Sequence, residues 1–148
     1  MNRRHKKMPV VGAVMTSFPH FVDADDTVAK VERLMDERAI RHLPVQERGR
    51  VVGIVSERDL HHFIKRSAPV EEKNNVRARD IMVADPYVVS FNTPLNEVVS
   101  EMAQRHIGSA IVTRSGKLAG VLSANDVCRI LGEYLESRFG ADGGDDAA

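Results

Sequence analysis

Two short stretches of this chain carry chemically useful residue types at matching spacings. They read Gly53-Ile54-Val55-Ser56-Glu57-Arg58-Asp59 and Gly120-Val121-Leu122-Ser123-Ala124-Asn125-Asp126. In each, an aliphatic run leads through a Ser into a helical pattern, with an Asp three residues later. Residues three apart share one face of a helix, so the carboxylate can point the same way as the hydroxyl. A carboxylate accepts hydrogen bonds, and a ribose diol offers two donors. The first turn of a helix adds unpaired N–H groups and the positive end of the dipole, which favour phosphate. Ser plus Asp at this spacing therefore suits a nucleoside phosphate. The same pair also makes an N-cap and a dipole-complementing carboxylate, a purely structural use.

The two stretches are parts of a longer repeat. Met15 matches Met82, 67 positions on, and the same offset matches Pro19 with Pro86, Val22 with Val89, Met35 with Met102 and Gly49 with Gly116. No gap is needed. Self-similarity at one fixed period signals a repeated structural unit. Each copy opens on a short extended segment, Phe21 and Val22 or Tyr87 to Val89. A helix follows. In the first copy Asp25 and Asp26 can cap it, and Val28, Val31, Leu34 and Met35 form its stripe. In the second, Thr93 can cap, Pro94 suits the first helical position, and Leu95, Val98, Val99 and Met102 form the stripe.

Two strands joined by a tight turn come next. The turns fall at Glu47-Arg48-Gly49-Arg50 and Arg114-Ser115-Gly116-Lys117, each between β-branched or aliphatic runs. A closing helix starts near Ser56 or Ser123, and in the second copy Val127, Ile130, Leu131, Tyr134 and Leu135 carry its stripe to about Phe139. Neither unit alone can bury much surface, whereas two packed on their sheets can. The expected organisation is a basic arm at 1–9, repeats at 10–66 and 77–139, a polar linker at 67–76 holding Pro69, and a disordered acidic tail at 140–148.

Composition narrows the function. Formal net charge is zero, so no global field draws in nucleic acid or a membrane surface. No apolar run approaches the roughly 18 residues of a spanning helix, and the basic start lacks the apolar stretch of a secretory signal. A cytoplasmic protein is expected. Cys128 stands alone in an apolar helical pattern and reads as a small buried hydrophobe. His61 and His62 are adjacent on a helix, diverge by about 100°, and chelate poorly; no Cys or carboxylate pattern supports a zinc site. Ser56, Asp59 and His61 lie within two turns of one helix and lack a nucleophile elbow, so no catalytic residues and no enzyme are expected. The basic run Arg3-Arg4-His5-Lys6-Lys7 reads as a solvated tail.

With the repeat order, the Met15-Thr16 opening, the Ile40-Arg41-His42-Leu43-Pro44-Val45 run and the Gly53 to Leu60 run in view, the chain resembles a tandem pair of CBS domains, a Bateman module. The resemblance covers about 10–135. The second copy departs from the family pattern where Ala110-Ile111 replaces Leu43-Pro44 and Ala124-Asn125 replaces Glu57-Arg58. The resemblance implies an α+β fold of two β-α-β-β-α repeats packed as a pseudo-twofold pair, with two clefts between them. It implies an adenine nucleotide as regulatory ligand (AMP, ADP or ATP, with NAD or S-adenosylmethionine as further candidates). Ser56 and Ser123 would reach phosphate or ribose, Asp59 and Asp126 the ribose hydroxyls. The backbone around Val22, Leu43, Pro44, Val89, Ser109 and Ala110 would frame the base, Arg41 and His42 would meet phosphate, and Arg58 would stand beside them at the first copy's cleft. A homodimer and a separate effector protein are the implied partners. The alternative is an oligomerisation scaffold that binds no nucleotide. Because the first copy offers Arg41, His42 and Arg58 where the second offers Gly108, Ser109 and Asn125, the clefts are expected to differ in affinity or occupancy.

Overall fold

The 67-residue period reappears in three dimensions as two four-stranded sheets. The computed structural model describes residues 7–17 and 20–140. The basic run at 3–6, Pro19 and the tail at 141–148 therefore lie outside the described residues. In chain order come a 3₁₀ turn at Val11–Ala13, β1 (Thr16–Ser17), β2 (Val22–Asp23), α1 (Val28–Arg38), β3 (His42–Glu47), β4 (Arg50–Ser56) and α2 (Glu57–Phe63). Then follow α3 (Val70–Asn74), α4 (Ala78–Ile81), β5 (Val83–Ala84), β6 (Val88–Ser90), α5 (Leu95–Arg105), β7 (Ser109–Arg114), β8 (Lys117–Ser123) and α6 (Ala124–Phe139).

Each local element follows from its residues. In α1, Val28, Val31 and Met35 are buried, and in α5 their counterparts Leu95, Val98 and Met102 are buried in the same way. Both helices end on a non-glycine residue in the left-handed region, Ala39 at φ 52° and His106 at φ 53°. Both hairpins turn through two positive-φ residues, Arg48-Gly49 and Ser115-Gly116, the twist that matches right-handed strands. Both carry a register shift at the same point, Val45/Gln46 and Val112/Thr113. The helix caps differ from the sequence expectation. Thr27, and not Asp25 or Asp26, caps α1 by accepting from the Lys30 N–H at 3.2 Å. Asp26 instead pairs with Lys30 at 3.1 Å. In the second copy the Thr93 hydroxyl meets Ser90 at 3.2 Å, and Pro94 takes the cap position of α5.

The sheets are completed by exchange. One has the order β2-β3-β4-β5 and the other β1-β8-β7-β6, so the opening strand of each repeat pairs with the sheet of the other. Thr16 lies opposite Val121, and Val83 opposite Ile54. The cores mix accordingly. Ala78 and Ile81 pack with Val31, Leu43, Val55 and Leu60, while Val11 packs with Val98, Ala110, Val112 and Leu122. Glycine makes the crossing possible. A Cβ on Gly53 would meet the Met82 Sδ at 2.5 Å and the Val83 carbonyl at 3.0 Å. A Cβ on Gly120 would meet the Met15 Sδ at 2.6 Å and collide with the Thr16 carbonyl.

The connection at 67–76 is more ordered than its polar composition suggests. It contains α3, whose Lys73 is buried and donates to Glu32 Oε1 at 2.8 Å and the Arg66 carbonyl at 2.7 Å. That anchors the link between repeats on α1. Two other expectations change at α6. Cys128 is exposed, because Val127 and Ile130 take the core-facing side of the helix and Cys128 sits off that face. The stripe on α6 is covered only at its start: Val127 and Ile130 pack against the second core, while Leu131 is 54% exposed and Phe139 60%.

Gly120→Ala sets a backbone contact against the exchanged strand and should cost about 2 kcal/mol. Gly132→Ala, in α6 where a Cβ meets nothing within 4 Å, should gain about 0.5–1 kcal/mol. Urea denaturation of the two variants reads the opposite signs; equal effects would contradict the exchange geometry.

Candidate functional site

The two Ser-x-x-Asp turns are built as helix caps. Ser56 Oγ accepts from the Asp59 N–H at 3.0 Å, and Ser123 Oγ from the Asp126 N–H at 3.2 Å. The first helical N–H of each is also taken, by the Arg41 carbonyl for Glu57 and the Gly108 carbonyl for Ala124, both at 2.8 Å. The structural use of the motif is thus present in both copies.

The carboxylates then part ways. Asp126 Oδ2 accepts from the Ser123 hydroxyl at 3.0 Å and from the Ser123 N–H at 2.9 Å. The Thr16 hydroxyl approaches at 3.4 Å, and Arg129 lies 3.6 Å away. The side-chain carboxylate of Asp59 makes no hydrogen bond with another described residue, and its helix lacks the reciprocal capping box of the second copy. One acidic group is therefore committed and the other is available.

Each turn opens on a cleft between the repeats. The larger encloses about 620 Å³ and brings Ser56, Arg58 and Asp59 together with Tyr87, Arg105 and Ser109. The smaller encloses about 400 Å³ and brings Ser123, Asn125 and Asp126 together with Thr16 and Ile40. Arg41 and His42 line both. The 67-residue offset maps the smaller cleft's Ala39, Arg41 and His42 onto the larger one's His106, Gly108 and Ser109.

Of the residues singled out in sequence, Arg41, His42, Ser56, Arg58, Asp59, Ser109, Ser123 and Asp126 line one or both clefts. Val22, Leu43, Val89 and Ala110 are core residues, Pro44 is buried in β3, and these five line neither. The structure adds Tyr87 and Arg105, whose guanidinium sits 5.0 Å over the tyrosine ring. No local signal marks them. Tyr87 lies in the turn after β5, which crosses onto the other sheet, and Arg105 ends α5 of the second repeat. His61 lines the larger cleft too, with Nε2 3.2 Å from Arg66 and Nδ1 3.9 Å from Glu32. Among the described residues no group of three or more His, Cys, Asp or Glu is placed to hold a metal ion. No helix among them is long and apolar enough to cross a membrane.

His42 is half-buried where the clefts meet. Burial lowers its pKa below the ordinary 6.5; Asp126 and Asp59 pull it upward, and Arg41 pushes it further down. The unfolded chain binds this proton at a higher pH than the folded one. Between the folded value and 6.5 the unfolded state holds more protons, so stability falls as pH falls through that window. His42→Asn removes the titrating group. Urea denaturation at pH 7.5 and pH 5 should show the variant losing less stability on acidification than the wild type; an identical loss would place His42 in an ordinary solvated setting.

Comparison with known proteins agrees with this architecture. The CBS domain family profile matches residues 11–66 and 78–133. An inosine-5'-monophosphate dehydrogenase of Korarchaeum cryptofilum is 34% identical over 107 residues, covering 72% of this chain but 21% of that protein. The chain thus spans about a fifth of that relative's length. Among solved structures, a Vibrio cholerae protein assigned to acetoin utilization (AcuB) superposes with a TM-score of 0.74 at 27% identity, covering 89% of this chain and 96% of that one. CBSX2, solved in complex with AMP, superposes with a TM-score of 0.68 at 26% identity, covering 84% and 97%. Two matched segments, two exchanged sheets and two related clefts lead to one assignment: the protein belongs to the CBS-domain family, as a tandem pair.

Proposed function

We propose that this CBS pair is a regulatory module that binds an adenine nucleotide and acts on a separate partner protein. The observation that carries the reading is the unengaged Asp59 carboxylate in a cleft that also holds Arg41, Arg58 and Arg105. The carboxylate suits the two ribose hydroxyls, and the guanidinium groups suit phosphate, which they can grip in bidentate fashion. Ile54, Val83, Ile111 and the Tyr87 ring supply apolar surface for a base in the same cleft. AMP bound to the structurally similar CBSX2 supports the ligand class. Within that class AMP, ADP and ATP fit the charge of the cleft, and NAD and S-adenosylmethionine share the ribose.

Ligand in the larger cleft would touch both repeats at once. It would shift a conformational equilibrium only to the extent that it binds one arrangement better. Affinity suited to metabolite sensing lies between micromolar and millimolar, roughly −8 to −4 kcal/mol. The second reading, an oligomerisation scaffold, draws on one observation, the uncovered row Leu131, Tyr134, Leu135 and Phe139 on α6. A second copy packed on that row would give the homodimer, and a sensor can use the same face, so a ligand test separates the readings.

At ligand near a hundredfold Kd, binding adds about 2.7 kcal/mol of stability. For a chain of this size that raises Tm by about 5–10 °C. Asp59→Ala should lose most of that rise while light scattering reports the same oligomeric state as the wild type. If none of AMP, ADP, ATP, NAD or S-adenosylmethionine moves Tm at millimolar concentration, the scaffold reading takes over.

A further inference from the structure

The two clefts share one guanidinium, Arg41, and the imidazole beside it, His42. Arg41 and His42 line both, and the residues that the repeat places at the equivalent positions, Gly108 and Ser109, carry no charge. The larger cleft has other cations of its own, Arg58 and Arg105. Among the described residues the smaller has no lining cation besides Arg41, with the His42 imidazole next to it, and its acidic group is already held by Ser123, with Thr16 and Arg129 close by. The main chain fixes where the Arg41 side chain starts, through the bond from the Glu57 N–H to its carbonyl. One guanidinium offers one planar fork, so a bidentate grip on one phosphate leaves it unable to grip another in the same way.

We propose that the clefts compete for Arg41 and His42, so that a nucleoside polyphosphate in the Asp59 cleft weakens phosphate binding in the Asp126 cleft. This rests on the nucleotide reading above and adds its regulation. The larger cleft takes a nucleoside di- or triphosphate. The smaller takes a phosphate-bearing ligand well only while Arg41 is free, and otherwise suits an uncharged nucleoside. Coupling of this kind is reciprocal, so ligand in the smaller cleft weakens the larger one by the same factor.

Calorimetric titration with ATP tests the proposal. In the wild type the second ATP should bind at least fivefold more weakly than ATP binds the Asp126 cleft in Asp59→Ala, where the larger cleft no longer competes. Gly108→Arg supplies the missing cation at a site where a Cβ meets only His42 Nε2 at 3.9 Å. It should bring the two values within twofold. Arg41→Ala, which does not depend on fitting a larger side chain, should weaken ATP at least fivefold in both clefts. A second ATP that binds the wild type as tightly as it binds Asp59→Ala overturns the proposal, as does a loss in Arg41→Ala confined to one cleft. ATP binding to neither cleft would instead remove the nucleotide reading itself.

Discussion

Neither half of this protein can complete its own sheet. The strand that closes the first sheet, Val83–Ala84, belongs to the second repeat, and the strand that closes the second, Thr16–Ser17, belongs to the first. The crossing depends on Gly53 and Gly120, where a side chain would occupy the space of the incoming strand. It also carries the helical turns at Val11 and Ala78 into the opposite cores. Once the openings are exchanged, the repeats must face each other, and the grooves between them must be lined by both.

On that nearly symmetric backbone the side chains are unequal. The hairpin turns, the register shifts and the left-handed helix ends recur at equivalent positions. The chemistry does not. Asp59 is available and Asp126 is committed. Arg41 and His42 face Gly108 and Ser109 across the pair, and Arg58 has Asn125 as its counterpart. Sequence divergence at a few cleft positions has left the architecture intact while concentrating positive charge in the larger cleft. Burial keeps His42 neutral more readily than a solvated histidine, so an arriving phosphate would meet a group that can still gain a proton.

Much of this was legible in the chain itself. The ungapped period placed the helices, hairpins and Ser-Asp turns, because period-3.6 stripes and glycine turns are set by neighbours in sequence. What was not legible depends on distant partners. Two-residue strands such as Thr16–Ser17 carry no alternation to read, so the exchange left no trace. Tyr87 and Arg105 enter the larger cleft from the second repeat, and no local pattern in the chain says which residues of that repeat face Ser56 and Asp59. The stripe on α6 was visible, but periodicity shows which residues share a face and not what covers it; Cys128 read as buried and is exposed, because it sits off the face that Val127 and Ile130 turn to the core. Similarly, Asp25 and Asp26 were plausible caps, and Thr27 took the position because it directly precedes the first buried turn of α1.

The most direct measurement is a crystal structure of the chain grown with ATP. The expected result is the nucleotide in the larger cleft, its ribose hydroxyls on Asp59 and its phosphates between Arg41 and Arg58. ATP seated first in the Ser123–Asp126 cleft, or bound with Asp59 still unengaged, would contradict it.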